Sequence, residues 1–150
     1  MTSLSRPVTE QTLGAWVIKC NPKSTALEPM VAAGRAKPSW CIADNYRSRL
    51  IETGQRVLFW VSAHPRRGIW GAGRIAGRPY AEADGLHVPT EIGLFDDPVT
   101  AEELATVPVL RTMEVFRSPQ QANPSWVSRT ELEALDELLP RSPVVGHAGG

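Results

Sequence analysis

Arg56-Val-Leu-Phe-Trp-Val-Ser-Ala-His-Pro-Arg-Arg-Gly-Ile-Trp-Gly-Ala-Gly-Arg-Ile75 is the stretch on which the reading of this chain turns. Val57 to Val61 is an unbroken apolar and aromatic run, the pattern of a strand buried on both faces. Ser62 to Gly68 carries Pro65, two arginines and a glycine, which reads as a turn, and Ile69 to Ile75 resumes as a second strand. The pair is a hairpin with Arg66 and Arg67 at its tip. Gly71 and Gly73 thin the second strand, as glycines do where another backbone or a ligand comes close. Trp60 and Trp70 are expected to face one another across the hairpin.

Outward from this hairpin, Ala15 to Cys20 reads as a first strand, which Asn21-Pro22 ends. Thr25 with Glu28 has the spacing of a capping box, with Leu27, Met30 and Val31 at helical spacing and Gly34 as the stop. A basic loop, Arg35 to Ser39, leads into Trp40-Cys41. Asp44 is placed to cap a second short helix carrying Leu50 and Ile51, with Gly54 as its stop. Beyond the hairpin, Gly77 to Glu82 turns the chain, and Leu86 to Leu94 reads as a strand with Val88 and Ile92 inward. Asp96-Asp97 reads as turn and cap chemistry before a brief helix boxed by Thr100 and Glu103. Of Pro108–Leu110 and Met113–Phe116, one is expected to be a strand. The closing helix runs from about Thr130 to Leu139, boxed by Thr130 with Glu133 or Ser128 with Glu131, with Leu132, Leu135, Leu138 and Leu139 as its apolar stripe and Pro140 as its stop. Short strands mixed with short helices give an α+β class, most economically a curved or closed barrel.

A length of 150 residues is enough for one domain with a real core. The expected organisation is a disordered leader over residues 1–13, one domain over 14–140, and a flexible glycine-rich tail over 141–150. No apolar run approaches a membrane span, and Met1 to Thr12 lacks the apolar core of a signal peptide. Cys20 and Cys41 form neither a disulfide framework nor a zinc spacing, so the expectation is a cytoplasmic protein with free thiols. The net charge of zero conceals a division: Lys19 to Arg78 holds 11 basic and 3 acidic residues, and Pro79 to Leu139 holds 3 and 12. Such asymmetry suggests a basic face for an anionic partner; the alternative is that opposite patches sit side by side and cancel.

Four segments carry a family resemblance: Trp16-Val-Ile-Lys-Cys-Asn-Pro, the helix and loop ending at Trp40, Gly54-Gln-Arg-Val-Leu-Phe-Trp-Val-Ser, and Gly68-Ile-Trp-Gly-Ala-Gly-Arg-Ile. In this order they resemble the EVE domain, a PUA-like relative of the YTH domain. Pro124-Ser-Trp-Val-Ser-Arg-Thr-Glu-Leu-Glu-Ala-Leu is similar to the segment that closes EVE domains, a short polar stretch leading into a final helix. The resemblance spans about Ala15 to Leu139 and implies a PUA-like mixed β-barrel flanked by short α-helices. It also implies a binding module that holds a flipped, modified nucleobase of DNA or RNA in an aromatic pocket. By position, Asn21 corresponds to a base-contacting asparagine, Trp40 to a cage tryptophan and Cys41 to its pocket neighbour. Cys20 and Cys41 depart from the YTH pattern, where serines are more usual. The second cage aromatic is open among Trp60, Trp70 and Trp126.

Such a pocket suits a base because every base has a π-face, and an asparagine amide both donates to and accepts from its edge. Lys19, Arg47, Arg49, Arg66 and Arg67 are the candidates to hold flanking phosphates. Trp16 and Trp60 lie in apolar runs and are also read as core, whereas Trp40 follows the polar Lys37-Pro38-Ser39 and is read as a ligand contact. On that reading, Trp40→Ala abolishes selectivity and leaves folding intact. The alternatives are a nucleoside-like small-molecule binder, or a protein-interaction module with a vestigial pocket. No enzyme chemistry, cofactor or metal is expected: His64, His87 and His147 are scattered, no base is visible for a cysteine nucleophile, and Gly71-Ala-Gly73 lacks a dinucleotide fingerprint.

Overall fold

The computed structural model describes residues 7–140. The strands are β1 (Leu13–Cys20), β2 (Ser39–Ile42), β3 (Arg56–Val61), β4 (Gly68–Ile75), β5 (Tyr80–Glu82), β6 (Gly85–Thr100) and β7 (Ser125–Ser128). The helices are α1 (Glu28–Ala33), α2 (Ala101–Ala105), α3 (Glu114–Arg117) and α4 (Arg129–Asp136), with 3₁₀ turns at Ser48–Leu50 and Pro108–Thr112. The strands form one mixed sheet in the order β2-β6-β4-β3-β1-β7, with β5 also on β6. Among the described residues, only the central β1–β3 pairing is parallel.

The central strands are buried on both faces, which is why Val57 to Val61 has no polar alternation. Val57, Phe59 and Val61 join Trp16, Ile18 and Cys20 in one core. Leu58 and Trp60 join Ala15 and Val17 in the other. Helices and turns roof the second core through Leu104, Leu110, Met113, Leu132 and Leu135. The first is roofed by the far strands of the sheet together with Met30 of α1, Ile51 and Val8. The 16-residue β6 pairs with β2 and β5 through its first residues and with β4 through the rest, so the sheet curls until β2 lies over β3. Trp40 of β2 then packs on Phe59 of β3, ring centroids 5.3 Å apart. The end strands nearly meet: the Ala43 amide, just past β2, donates to the Asn123 carbonyl, just before β7, at 2.8 Å.

The expected hairpin forms as β3 and β4, and its glycines serve close approach, since a Cβ on Gly71 or Gly73 would run into the β6 backbone at Gly93 and Glu91. Its tryptophans do not face each other. Phe59 pairs with Gly71 and Trp60 with Ile69, leaving Trp70 as the extra residue of a bulge. One inserted residue breaks the alternation of faces, so Trp60 enters the helix-covered core while Trp70 packs against the other.

Other expectations divide. The Thr100–Glu103 and Ser128–Glu131 capping boxes both form, and Gly34 ends α1 at φ 75°. The Thr25–Glu28 box does not: α1 starts after Leu27, with Pro29 in its first turn. The segment after Asp44 makes only the 3₁₀ turn Ser48–Leu50. Asp96 and Asp97 lie within β6 rather than in a turn. Neither Pro108–Leu110 nor Met113–Phe116 is a strand, because Pro108 starts a 3₁₀ turn and Leu110 and Met113 share its inward face. The missing strand is β7, whose Trp126 pairs with Trp16. Of the expected leader, residues 7–13 pack on the domain: Val8 is buried and its amide donates to the Tyr46 hydroxyl at 3.0 Å. Residues 1–6 and the tail from Arg141 lie outside the described residues. Among those described, no helix is long and apolar enough to cross a membrane.

Candidate nucleic-acid interface

The ends of β1 and β3 and the loop between α1 and β2 converge at Trp40. Pairing of Trp40 with Val88 turns its ring into the sheet's own core, where it is 4% exposed. Phe59 packs on it at a 48° tilt, and the Lys37 ammonium sits 4.5 Å from the ring centre. That is cation–π geometry, with Lys37 three residues before the ring. The Lys37 backbone is fixed by an amide contact of 3.3 Å to Met30 Sδ, which ties the loop to α1. The indole N–H of Trp40 is buried and has no hydrogen-bond partner among the described residues. An unsatisfied buried donor costs about 1–3 kcal/mol.

Cys20 is buried beside this group, with Sγ 3.9 Å from the Thr25 carbonyl. Burial pushes its thiol pKa up, and the positive charge of Lys37 partly opposes the shift. Asn21 is exposed and forms a local turn, its Oδ1 accepting from the Lys23 amide at 2.9 Å. Cys41 alternates to the outer side of β2 and is exposed. The structure therefore gathers Trp40, Cys20 and Lys37, with Asn21 next in the chain. Lys37 was missed as a site residue; its signal is a cation one helical turn's length before an aromatic, in Lys-Pro-Ser-Trp. Two clefts of about 360 and 400 Å³ open elsewhere, and neither is lined by Trp40.

The remaining candidates are dispersed. Trp60 is buried in the other core, edge-on to Phe116. Trp70 is half-buried against His64, its indole N–H donating to the Arg66 carbonyl at 2.9 Å. Trp126 is core. Lys19 is turned inward, its ammonium donating to the carbonyls of Pro119, at 3.0 Å, and Gln121. Its pKa is lowered by burial, an effect Glu114 partly offsets. Arg47 corrects the expectation of a phosphate contact. It is 4% exposed, forks onto Glu114 at 2.8 and 2.7 Å, and gives a third bond to the Pro124 carbonyl at 2.9 Å. The bonds to Glu114 hold its pKa above the usual value, against the opposing effect of burial. Arg49, Arg66 and Arg67 are exposed. Arg49 lies 3.8 Å from Asp44, and Arg66 lies 3.8 Å from Asp97.

The charge division of the sequence is partly cancelled in space. Arg47 with Glu114, Arg56 with Asp136 and Arg66 with Asp97 each join the basic segment to the acidic one.

The sequence matches no protein-family model and no curated protein. Solved structures do match. A hypothetical protein from Leishmania major aligns with TM-score 0.66 at 18% identity over 84% of this chain and 94% of that one. The DUF55 domain of human thymocyte nuclear protein 1 aligns with TM-score 0.61 at 18% identity, over 83% and 97%. The fold, a curled mixed sheet flanked by short helices, is shared with these structures. Human THYN1, solved in complex with DNA containing 5-methylcytosine, aligns with TM-score 0.59 at 18% identity, over 86% and 99%.

On the outer side of this sheet, residues far apart in sequence meet. Cys41, Asp84 and His87 bring their ligating atoms within 4.8 Å of one another. The expectation that the histidines are merely scattered therefore fails for His87, because pairing of β2 with β6 sets Cys41 opposite it.

Proposed function

We propose that this chain is a non-catalytic module that binds nucleic acid and holds one unstacked, modified base at Trp40. The observation that carries the reading is the Trp40 indole: its N–H is buried without an acceptor, and a flexible lysine covers its ring. A ligand that displaces the Lys37 ammonium gains a π-face worth about 1–3 kcal/mol per base and offers the N–H an acceptor. The freed ammonium is then available to a flanking phosphate. Asn21, exposed at the end of β1, supplies amide donors and an acceptor for the base edge, and Arg49, Arg66 and Arg67 are the exposed cations proposed for phosphates. The complex of the like-folded human protein with 5-methylcytosine DNA makes that base the first probe.

Trp40→Ala is the wrong test, because removing a buried tryptophan ring costs about 3–5 kcal/mol of stability. Trp40→Phe keeps an aromatic face and removes only the N–H-bearing ring. Matched single- and double-stranded DNA and RNA, with and without 5-methylcytosine in the DNA, are titrated against wild type, Trp40→Phe and Lys37→Met. Affinity for the methylated probe is expected to fall about tenfold in Trp40→Phe, the equivalent of one hydrogen bond. In Lys37→Met the dependence on salt is expected to flatten. Equal binding of methylated and unmethylated probes by wild type, unchanged in Trp40→Phe, would sink the assignment. Free nucleoside binding as tightly as the oligonucleotide would replace it with a small-molecule site.

A further inference from the structure

The strand register builds a second polar cluster, on the face of β2 opposite the Trp40 ring. Cys41 on β2 stands across from His87 on β6, and His87 stands across from Tyr80 on β5. Asp84 lies in the turn joining β5 to β6, where its Oδ1 is 2.7 Å from His87 Nε2. The Tyr80 ring stacks on the imidazole at 5.9 Å and 28°, which fixes the plane of the ring. Cys41 and Asp84 are exposed, so the cluster is open to solvent on one side. We propose that Cys41, Asp84 and His87 form a three-ligand site for Zn²⁺, with the fourth position left to water.

The donor set selects the ion class. A thiolate and an imidazole favour zinc over magnesium or calcium, which take oxygen ligands, and a single carboxylate is too little for a hard cation. The geometry is near what is needed: bonds of about 2.0–2.3 Å in a tetrahedron place ligand atoms about 3.3–3.6 Å apart. The three atoms already lie within 4.8 Å, and two of the side chains that must adjust are on the surface. Binding replaces the Cys41 thiol proton, which leaves to solvent, and opens the Asp84–His87 contact as both groups turn to the ion. The ion would clip β2 to the β5–β6 turn. Because Cys41 and Trp40 point to opposite faces, this site does not depend on the base-binding reading.

The test uses the tag-free full chain and Zn²⁺ in competition with a chromophoric chelator, with Co²⁺ as a spectroscopic probe. Wild type is expected to take up one equivalent of Zn²⁺, to melt at higher temperature with it, and to show a thiolate-to-cobalt charge-transfer band. Cys41→Ser is expected to lose the band. His87→Gln is expected to lose the bound equivalent, and Asp84→Asn, which exchanges a carboxylate ligand for a neutral amide, to bind Zn²⁺ more weakly than wild type. His64→Gln, on the far hairpin tip, is expected to match wild type. Far-ultraviolet circular dichroism checks that each variant is folded. No stoichiometric uptake by wild type, or uptake unchanged in folded Cys41→Ser and His87→Gln, would overturn the proposal.

Discussion

Two places in this molecule set a cation against the buried interior, and they differ in how fully their polar groups are answered. At Arg47, the guanidinium makes two bonds to the Glu114 carboxylate and one to the Pro124 carbonyl. At Trp40, the Lys37 ammonium rests on a ring whose own N–H has no partner. The first arrangement is closed, and a phosphate could join it only by breaking bonds already made. The second has a donor in reserve and a cover that moves by rotating one side chain. Charge alone does not separate Arg47 from Lys37 as a phosphate contact; satisfaction of the hydrogen bonds does.

The largest expected effect breaks the closed member of the pair. Arg47→Met leaves the Glu114 carboxylate buried without its hydrogen-bonded partner, which costs about 3–5 kcal/mol, read as a lower urea midpoint. Arg47→Met with Glu114→Leu removes both charges, and most of the loss is expected to return. A midpoint unmoved by Arg47→Met would mean that Glu114 escapes to water, and the contrast with Trp40 would lose its basis.

What the sequence reveals and what it hides divide along the same line between local and long-range causes. The doubly buried run Val57–Val61, the close-approach glycines 71 and 73 and two capping boxes follow from neighbours in the chain, and all are present. The opposed faces of Trp60 and Trp70 depend on one bulge, which no local pattern announces. The burial of Arg47 depends on Glu114, 67 residues away, and the meeting of Cys41 with His87 depends on the register of two strands. The β7 strand reads as polar because serines occupy both of its ends, although Trp126 and Val127 are core. Trp40 was legible as an unusual tryptophan; its burial was not, since the polar loop before it covers the ring rather than exposing it.

A subtler measurement sharpens the open member. Cys20 lies beside the Trp40 group with its pKa raised by burial. The folded chain therefore keeps the thiol proton at pH values where the unfolded chain has released it. Stability from this source is fully present below the ordinary thiol pKa and is lost as pH rises through the raised one. Lys19 acts in the opposite sense: its lowered pKa makes the folded chain hold fewer protons, so stability rises with pH just below the ordinary lysine pKa. Comparing Cys20→Ala with wild type at each pH removes the lysine contribution, and the difference is expected to drift in favour of the variant as pH rises above neutral. The exposed Cys41 should react with an aromatic disulfide reagent at once and Cys20 only in denaturant. Two fast thiols, or a difference independent of pH, would show that the Trp40 end is open rather than covered.

The smallest expected effect on stability concerns cations that belong to neither arrangement. Arg66 and Arg67 are exposed at the β3–β4 tip, and Arg66 has only a long 3.8 Å approach to Asp97. Replacing either by alanine should change stability by no more than about 0.5 kcal/mol. The informative readout is the slope of log affinity against log salt for an oligonucleotide. Each lost phosphate contact should make it shallower by about 0.9 on duplex and about 0.7 on single-stranded probes. Arg67→Ala is expected to show this change more clearly than Arg66→Ala, because Asp97 already offsets part of the charge at Arg66. Unchanged slopes in both variants would remove the tip from the interface and leave Arg49 and Lys37, the cation seated on the unsatisfied tryptophan, to carry the phosphate contact.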